Sequence, residues 1–238
     1  MSFSAEWDAW HAARPRRYGF SPEFLHFVDR NVTEAKRVLE LGAGGFGNFS
    51  FLSQRFGEYF AIEGSEIACD SFLEVHPELA DNVACCDFTK GIPFDGEFDL
   101  IVDRASVPHN DRPGIDRCAD LIYDALMPSG LFVAGDWFSV NHSEYLRGGM
   151  PKDGTVQSFS DGQFAGAGTT HFSDERELAD IFWRFDRLFL QERAERRPGP
   201  GPFCETPQRI PWISDAYATS DYISAVWDFI CRKPRTLV

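Results

Sequence analysis

The segment Arg37-Val38-Leu39-Glu40-Leu41-Gly42-Ala43-Gly44-Gly45-Phe46-Gly47-Asn48-Phe49 limits the fold more than any other part of this 238-residue chain. Val38, Leu39 and Leu41 read as a short buried strand, glycines at 42, 44, 45 and 47 break it into a loop, and Phe49-Ser50-Phe51-Leu52 opens a helix. Strand, glycine turn and helix in that order make one crossover of a parallel α/β sheet, with the turn at the carboxyl end of the strand, where such sheets bind ligands. Glycine is needed because the backbone must turn sharply and let a ligand reach contact distance of main-chain N–H groups. Gly42, Gly44 and Gly47 have the spacing of a dinucleotide fingerprint, and Glu63 follows about twenty positions later, where a ribose-binding acid belongs.

Glu40, two residues before Gly42, narrows the ligand. A carboxylate at the end of the first strand faces the ligand; it repels a pyrophosphate and suits the ammonium and sulfonium charges of S-adenosylmethionine. With Val38-Leu39-Glu40-Leu41-Gly42-Ala43-Gly44-Gly45-Phe46, the chain resembles the class I, Rossmann-like S-adenosylmethionine-dependent methyltransferases, whose first motif is a hydrophobic strand, an acid, a hydrophobic residue and G-x-G-x-G. Phe46 stands at the third glycine of that motif, with Gly47 one step later. The resemblance implies a doubly wound, mostly parallel seven-stranded sheet with an antiparallel C-terminal strand. It also implies S-adenosylmethionine as cofactor and S-adenosylhomocysteine as product.

Composition fits a small acceptor. The formal net charge is −14 and the pI about 4.8, so the surface repels nucleic acids and anionic membranes. No apolar run approaches the roughly 20 residues that span a bilayer, and the N-terminus lacks the basic and apolar regions of a signal peptide, so a cytoplasmic protein is expected, monomer or homodimer. Cys69, Cys85, Cys86, Cys118, Cys204 and Cys231 show neither C-x-x-C pairing nor zinc spacing and read as reduced, mostly buried thiols. Cys85 and Cys86, neighbours on an expected strand, should point to opposite faces.

The rest of the chain reads as one domain in four parts: an N-terminal cap at 1–21, a cofactor-binding core at 22–136, a substrate-recognition insertion at 137–172, and a closing helix and strands at 173–238. The cap carries Trp7, Trp10, His11 and Tyr18 on an aromatic helix and the loop after it, either packed outside the core or serving as a lid that excludes water. Ser21-Pro22 starts a helix. Tyr59 to Glu63 form the second strand, with Glu63 at its carboxyl end able to accept from both ribose hydroxyls. Gly64-Ser65 follow as cap of the next helix and are also expected at the cofactor. A third strand spans 82–88. The resemblance implies that its terminal Asp87 receives the adenine amino group and that Phe88 lies against the ring; Asp87 capping the following turn is the plainer reading. Phe98 to Arg104 form the fourth strand, and the resemblance implies that Asp103 and Arg104 sit at the methionine end of the cofactor and that His109 faces the substrate. A helix near 115–126, a turn at 127–130 and a fifth strand at 131–136 follow. Residues 137–172, rich in Gly, Ser, His and aromatics, fit no regular element and are long for a loop, which marks them as functional. Ser173 is expected to cap a helix, and 185–192 and 222–232 to form a closing hairpin.

Methyl transfer chiefly requires alignment, and a base is needed only if the acceptor must lose a proton. His109 is the first candidate base, because imidazole titrates near neutrality, and His171 the second; either is alternatively a histidine that only shapes its surroundings. Trp10, Tyr18, Trp137, Tyr145 and Phe164 are candidate acceptor contacts, or else core. Asp103, Asp136 and Asn141 lack metal-site spacing, so no metal is expected. A nicotinamide-dependent oxidoreductase on the same loop, and a non-catalytic nucleotide-binding module, are the alternatives; acids at four successive strand ends, Glu40, Glu63, Asp87 and Asp103, oppose the first.

Overall fold

A computed structural model describes residues 3–12, 21–145, 151–156, 159, 162–197 and 222–235. Its centre is a seven-stranded sheet in the order β3-β2-β1-β4-β5-β9-β8. The strands are β1 (Arg37–Leu41), β2 (Glu58–Glu63), β3 (Val83–Cys85), β4 (Phe98–Arg104), β5 (Leu126–Phe138), β8 (Asp186–Arg197) and β9 (Tyr222–Arg232). The first five pair in parallel, while β9 runs antiparallel to both β5 and β8. A separate two-stranded ribbon joins β6 (Thr155–Val156) to β7 (Thr170–His171). Strand order reverses between β1 and β4, and the glycine loop leaves β1 at that switch point, where doubly wound sheets open a crevice.

Side-chain alternation along the strands divides the core in two. On one face Val38, Ala61, Leu100 and Val133 pack under α2 (Pro22–Asn31), α3 (Phe49–Phe56) and α4 (Glu66–Leu73). On the other, Leu39, Ile62, Ile101 and Phe132 pack under α5 (Arg112–Ala125) and α6 (Glu175–Ile181). A third apolar cluster, Phe138, Phe159, Phe164, Ala167, Phe172 and Val226, lies at the carboxyl end of β5. Helix starts follow local chemistry: Ser21 accepts from the Phe24 amide at 3.4 Å with Pro22 behind it, and Ser65 accepts from the Ala68 amide at 3.2 Å, each cap worth about 1 kcal/mol.

Four sequence expectations shift. β3 stops at Cys85, so Asp87 and Phe88 stand in the following loop rather than on the strand, and Cys86, already past the strand, is half-buried while Cys85 is exposed. Cys69, Cys118 and Cys231 are buried free thiols, and Cys204 lies outside the described residues. The turn at 127–130 survives only as a bulge inside β5: pairing passes from Phe98–Leu126 to Leu100–Leu131, and Ser129 has a φ of 71°. The cap of α6 is Asp174, which accepts from the Glu177 amide at 2.8 Å, because Ser173 is fully buried with its hydroxyl and carbonyl taken by the indoles of Trp137 and Trp227. No helix among the described residues is long and apolar enough to cross a membrane.

Candidate active site

The carboxyl ends of β1, β2 and β4 surround a cavity of about 190 Å³. One water needs about 10–15 Å³ by this measure, so the space is that of an organic ligand. Its floor is the glycine loop. Gly42 has a φ of +61°, and a Cβ there would collide with the Ser106 side chain, whose hydroxyl donates to the Gly42 carbonyl at 3.1 Å. Glycine at 42 is therefore required twice, by backbone conformation and by packing. Phe46 holds a left-handed φ of 55° as a non-glycine residue, and its ring stacks on Phe72 with centroids 4.0 Å apart. The backbone conformation that a glycine would adopt freely is thus kept by a phenylalanine anchored in the core.

Two acids stand beside this loop. Glu63 is buried; its carboxylate accepts from the Gly44 amide at 2.6 Å and the Ser65 amide at 2.9 Å, with His11 Nε2 at 3.8 Å. Glu40 is buried too, accepting from Asn48 Nδ2 at 2.8 Å and from the Tyr59 hydroxyl at 2.6 Å. Burial raises its carboxyl to about 7 against those two hydrogen bonds. Asn48 spends its NH₂ group on Glu40, and its Oδ1, buried at the cavity wall, has no hydrogen-bond partner.

The third wall follows β4. Asp103 does not line the cavity; fully buried, its Oδ1 accepts from the amides of Ser106 and Val107, both at 3.1 Å, and burial raises it to about 7. Its work is to fold the chain after β4 back so that Arg104, Ala105, Ser106, His109 and Asn110 all reach the wall. Arg104 reaches Asp136 at 3.4 Å, and Asp136 in turn binds Arg193 at 2.7 Å. Burial pushes His109 down to about 4, so its ring is neutral at physiological pH. Its Nδ1 lies 3.3 Å from the Thr169 carbonyl, which can only accept. Trp7, Phe138 and Phe164 meet the ring edge-on, with centroids at 5.3, 5.2 and 6.1 Å.

Helix α1 (Phe3–Ala12) closes the top. Asp8 accepts from the Ser65 hydroxyl at 2.7 Å and the Ile67 amide at 3.3 Å, which clasps α1 to the start of α4. Trp7, Trp10 and His11, spaced to share one helical face, thereby line the cavity.

Of the residues expected from sequence, Trp10, Glu40, Gly42, Ala43, Gly44, Glu63, Gly64, Phe88, Arg104 and His109 meet at this cavity. Ser65 lies just behind it as the cap of α4. Asp87 does not line it: the Thr89 amide and hydroxyl occupy its Oδ1 at 3.0 and 2.6 Å, so it caps the turn, and although burial pushes its carboxyl up, Thr89 and Lys90 outweigh this and hold it below the usual range. Trp137 is fully buried in the core against Phe182 and Phe229 and is not an acceptor contact. Phe164 and Tyr145 pack in the third apolar cluster, one layer behind His109. His171 is fully buried, bonded to Thr155 at 2.8 Å and Glu177 at 3.0 Å, and does not reach the cavity as a base must. Tyr18 lies outside the described residues. Sequence reasoning left Asn48, Ser106 and Asn110 out of the site. Asn48, at the cap position directly after the glycine loop, carried a readable signal; Ser106 and Asn110 depended on the turn made by Asp103. Among the described residues no group of three or more His, Cys, Asp or Glu side chains is arranged to hold a metal ion.

No family model and no curated protein matches the chain by sequence. Solved structures do match by shape. The chain superposes over its whole length on the whole of a chain from the complex between the Haloferax volcanii Trm112 methyltransferase activator and a methyltransferase, with TM-score 0.64 and 16% identity. The N-methyltransferase NodS from Bradyrhizobium japonicum, solved with S-adenosylhomocysteine, matches 98% of this chain and 100% of its own, with TM-score 0.60 and 13% identity. TehB from Haemophilus influenzae matches over 95% of this chain and 67% of its own, with TM-score 0.59 and 13% identity. Strand order, the antiparallel β9 and these neighbours together identify the architecture as the Rossmann-like fold of the S-adenosylmethionine-dependent methyltransferases.

Proposed function

We propose that this chain is an enzyme that methylates a small-molecule acceptor with S-adenosylmethionine as donor. The observation that carries the reading is the pair Glu40 and Asn48: a buried acid with a buried, partnerless carbonyl oxygen beside it at the end of β1. An unsatisfied buried acceptor costs about 1–3 kcal/mol, and a raised carboxyl gains from a neighbouring cation. A ligand that brings N–H donors and positive charge relieves both, and the amino-acid end of S-adenosylmethionine has that chemistry. A pyrophosphate would meet Glu40 and Glu63 with like charge.

In this reading Gly42, Ala43 and Gly44 let the cofactor approach the backbone, Glu63 receives the ribose hydroxyls with Gly64 and Ser65 beside it, and Phe88 lies against the adenine. Arg104, with Asp103 behind it, serves the methionine end. NodS, of the same fold, was solved with S-adenosylhomocysteine, which supports the assignment. When bound, the cofactor supplies an electrophilic methyl group on a sulfonium. The chain's own residues then orient and exclude water: Trp7 and Trp10 cover the cavity, Phe164 and Tyr145 pack in the layer behind His109, and neutral His109 offers a nitrogen lone pair to the acceptor. A base this weak suffices where the proton becomes acidic only as the new bond forms.

Calorimetric titration of the purified protein with S-adenosylmethionine, S-adenosylhomocysteine and NADH tests the reading. Saturable binding of both adenosyl ligands, lost or strongly weakened in Glu63→Ala, is expected. Binding of NADH without either adenosyl ligand would overturn it.

A further inference from the structure

His171 does not reach the cavity, yet its contacts close a ring that ends on His109. His109 Nδ1 meets the Thr169 carbonyl at 3.3 Å and the Thr170 hydroxyl at 3.4 Å. Two residues after Thr169, His171 pairs with Thr155 across the β6–β7 ribbon, and its Nδ1 lies 2.8 Å from the Thr155 hydroxyl. Its Nε2 lies 3.0 Å from Glu177 Oε1, the same oxygen that Arg112 Nη1 binds at 2.9 Å. Arg112 starts α5, three residues after His109. The path therefore runs from His109 through Thr169, His171, Glu177 and Arg112 and returns along the backbone to His109.

Burial would push the Glu177 carboxyl up, but His171 and Arg112 outweigh it and hold the group below the usual range, so the centre of the ring is an anion. An anion can only accept, so His171 Nε2 carries hydrogen toward it. On the far side the same logic applies to His109: a carbonyl can only accept, so Nδ1 carries the hydrogen, and in the neutral ring Nε2 is left with a lone pair. His109 lines the cavity, and no described residue bonds its Nε2.

We propose that Thr155, His171, Glu177 and Arg112 are positioning residues that hold the Thr169 carbonyl on His109 Nδ1 and so fix His109 as the tautomer with a free Nε2, which restricts the acceptor to one bearing hydrogen on its reacting atom. This rests on the methyltransferase reading of the cavity and assigns the acceptor class within it: a hydroxyl, a thiol, or an amine with an N–H, rather than a thioether or tertiary amine. The bond from the reacting atom to its hydrogen breaks, the proton goes to Nε2, and the ring becomes imidazolium while the electron pair stays on the reacting atom. A two-donor His109 or the opposite tautomer would present a hydrogen to the acceptor and block that step.

The tautomer is measurable without any ligand, by long-range proton–nitrogen correlation on protein labelled with ¹⁵N-histidine, with the His109 signals assigned through His109→Gln. The expected wild-type spectrum has a pyrrole-type Nδ1 and a pyridine-type Nε2 at neutral pH. His171→Phe, and Thr155→Val should the first variant fold poorly, are expected to move a measurable share of His109 to the opposite tautomer, whereas His171→Gln, which can still donate to Glu177 and accept from Thr155, preserves it. A wild-type His109 protonated at Nε2 overturns the proposal, as does a spectrum left unchanged by both disruptive variants. Efficient turnover of a thioether or tertiary-amine acceptor overturns the acceptor class. Failure of S-adenosylmethionine to bind would defeat the methyltransferase reading while the tautomer result stands apart.

Discussion

Replacing Glu40 by glutamine isolates the electrostatic strain built into the site. Burial raises the Glu40 carboxyl from its ordinary 4.5 to about 7 in the folded protein. A carboxyl with a raised folded value favours the folded state while it is protonated, and that advantage is lost as pH rises from the unfolded value through the folded one. A rise of that size corresponds to about 3 kcal/mol in full, most of which is lost between about pH 5 and about pH 8.5. Glutamine cannot ionise, so Glu40→Gln removes that loss. It also disturbs the hydrogen bonds from Asn48 and Tyr59, but this cost does not change with pH and cancels when the variant is compared with wild type at two pH values. Asp103, raised to about 7 as well, is present in both proteins and cancels too. Urea unfolding followed by tryptophan fluorescence, without ligand, should show wild type losing about 2–3 kcal/mol more than Glu40→Gln over this range. Parallel losses in the two proteins would refute the assignment of strain to Glu40. In the same variant, S-adenosylmethionine should lose more affinity than S-adenosylhomocysteine, because only the former carries the sulfonium charge.

Phe46→Gly should relieve about 1–2 kcal/mol of left-handed backbone strain but lose about 3–5 kcal/mol of buried ring, a net destabilisation of about 2–3 kcal/mol in urea unfolding; a variant more stable than wild type would show that the ring contributes nothing to the loop. Gly42→Ala should destabilise the protein by at least about 1 kcal/mol through its positive φ and its collision with Ser106. The double variant Gly42→Ala with Ser106→Gly should recover the part due to collision, and strict additivity of the two changes would refute the contact.

Much of this protein was legible in order along the chain. The glycine loop, the terminal acids Glu40 and Glu63 and the strand from Phe98 to Arg104 are local patterns, because burial on a parallel sheet demands apolar runs and a ligand-binding turn demands glycine. Strand alternation and caps at Ser21 and Ser65 likewise need only their neighbours in sequence. What sequence could not decide was which polar residues satisfy one another across the fold. Asp87 was spent on Thr89, Ser173 on two indoles, Trp137 on the core and His171 on Glu177, each by a partner's position in space. Conversely Asn48 gained an unpaired acceptor because Glu40 took its amide, and Trp7 and His11 reached the cavity because Asp8 clasps α4. Periodicity and glycine chemistry act over a few residues and fix the frame; hydrogen-bond satisfaction in a buried interior is settled only when distant segments meet, so the tertiary structure decided which groups remain free for chemistry.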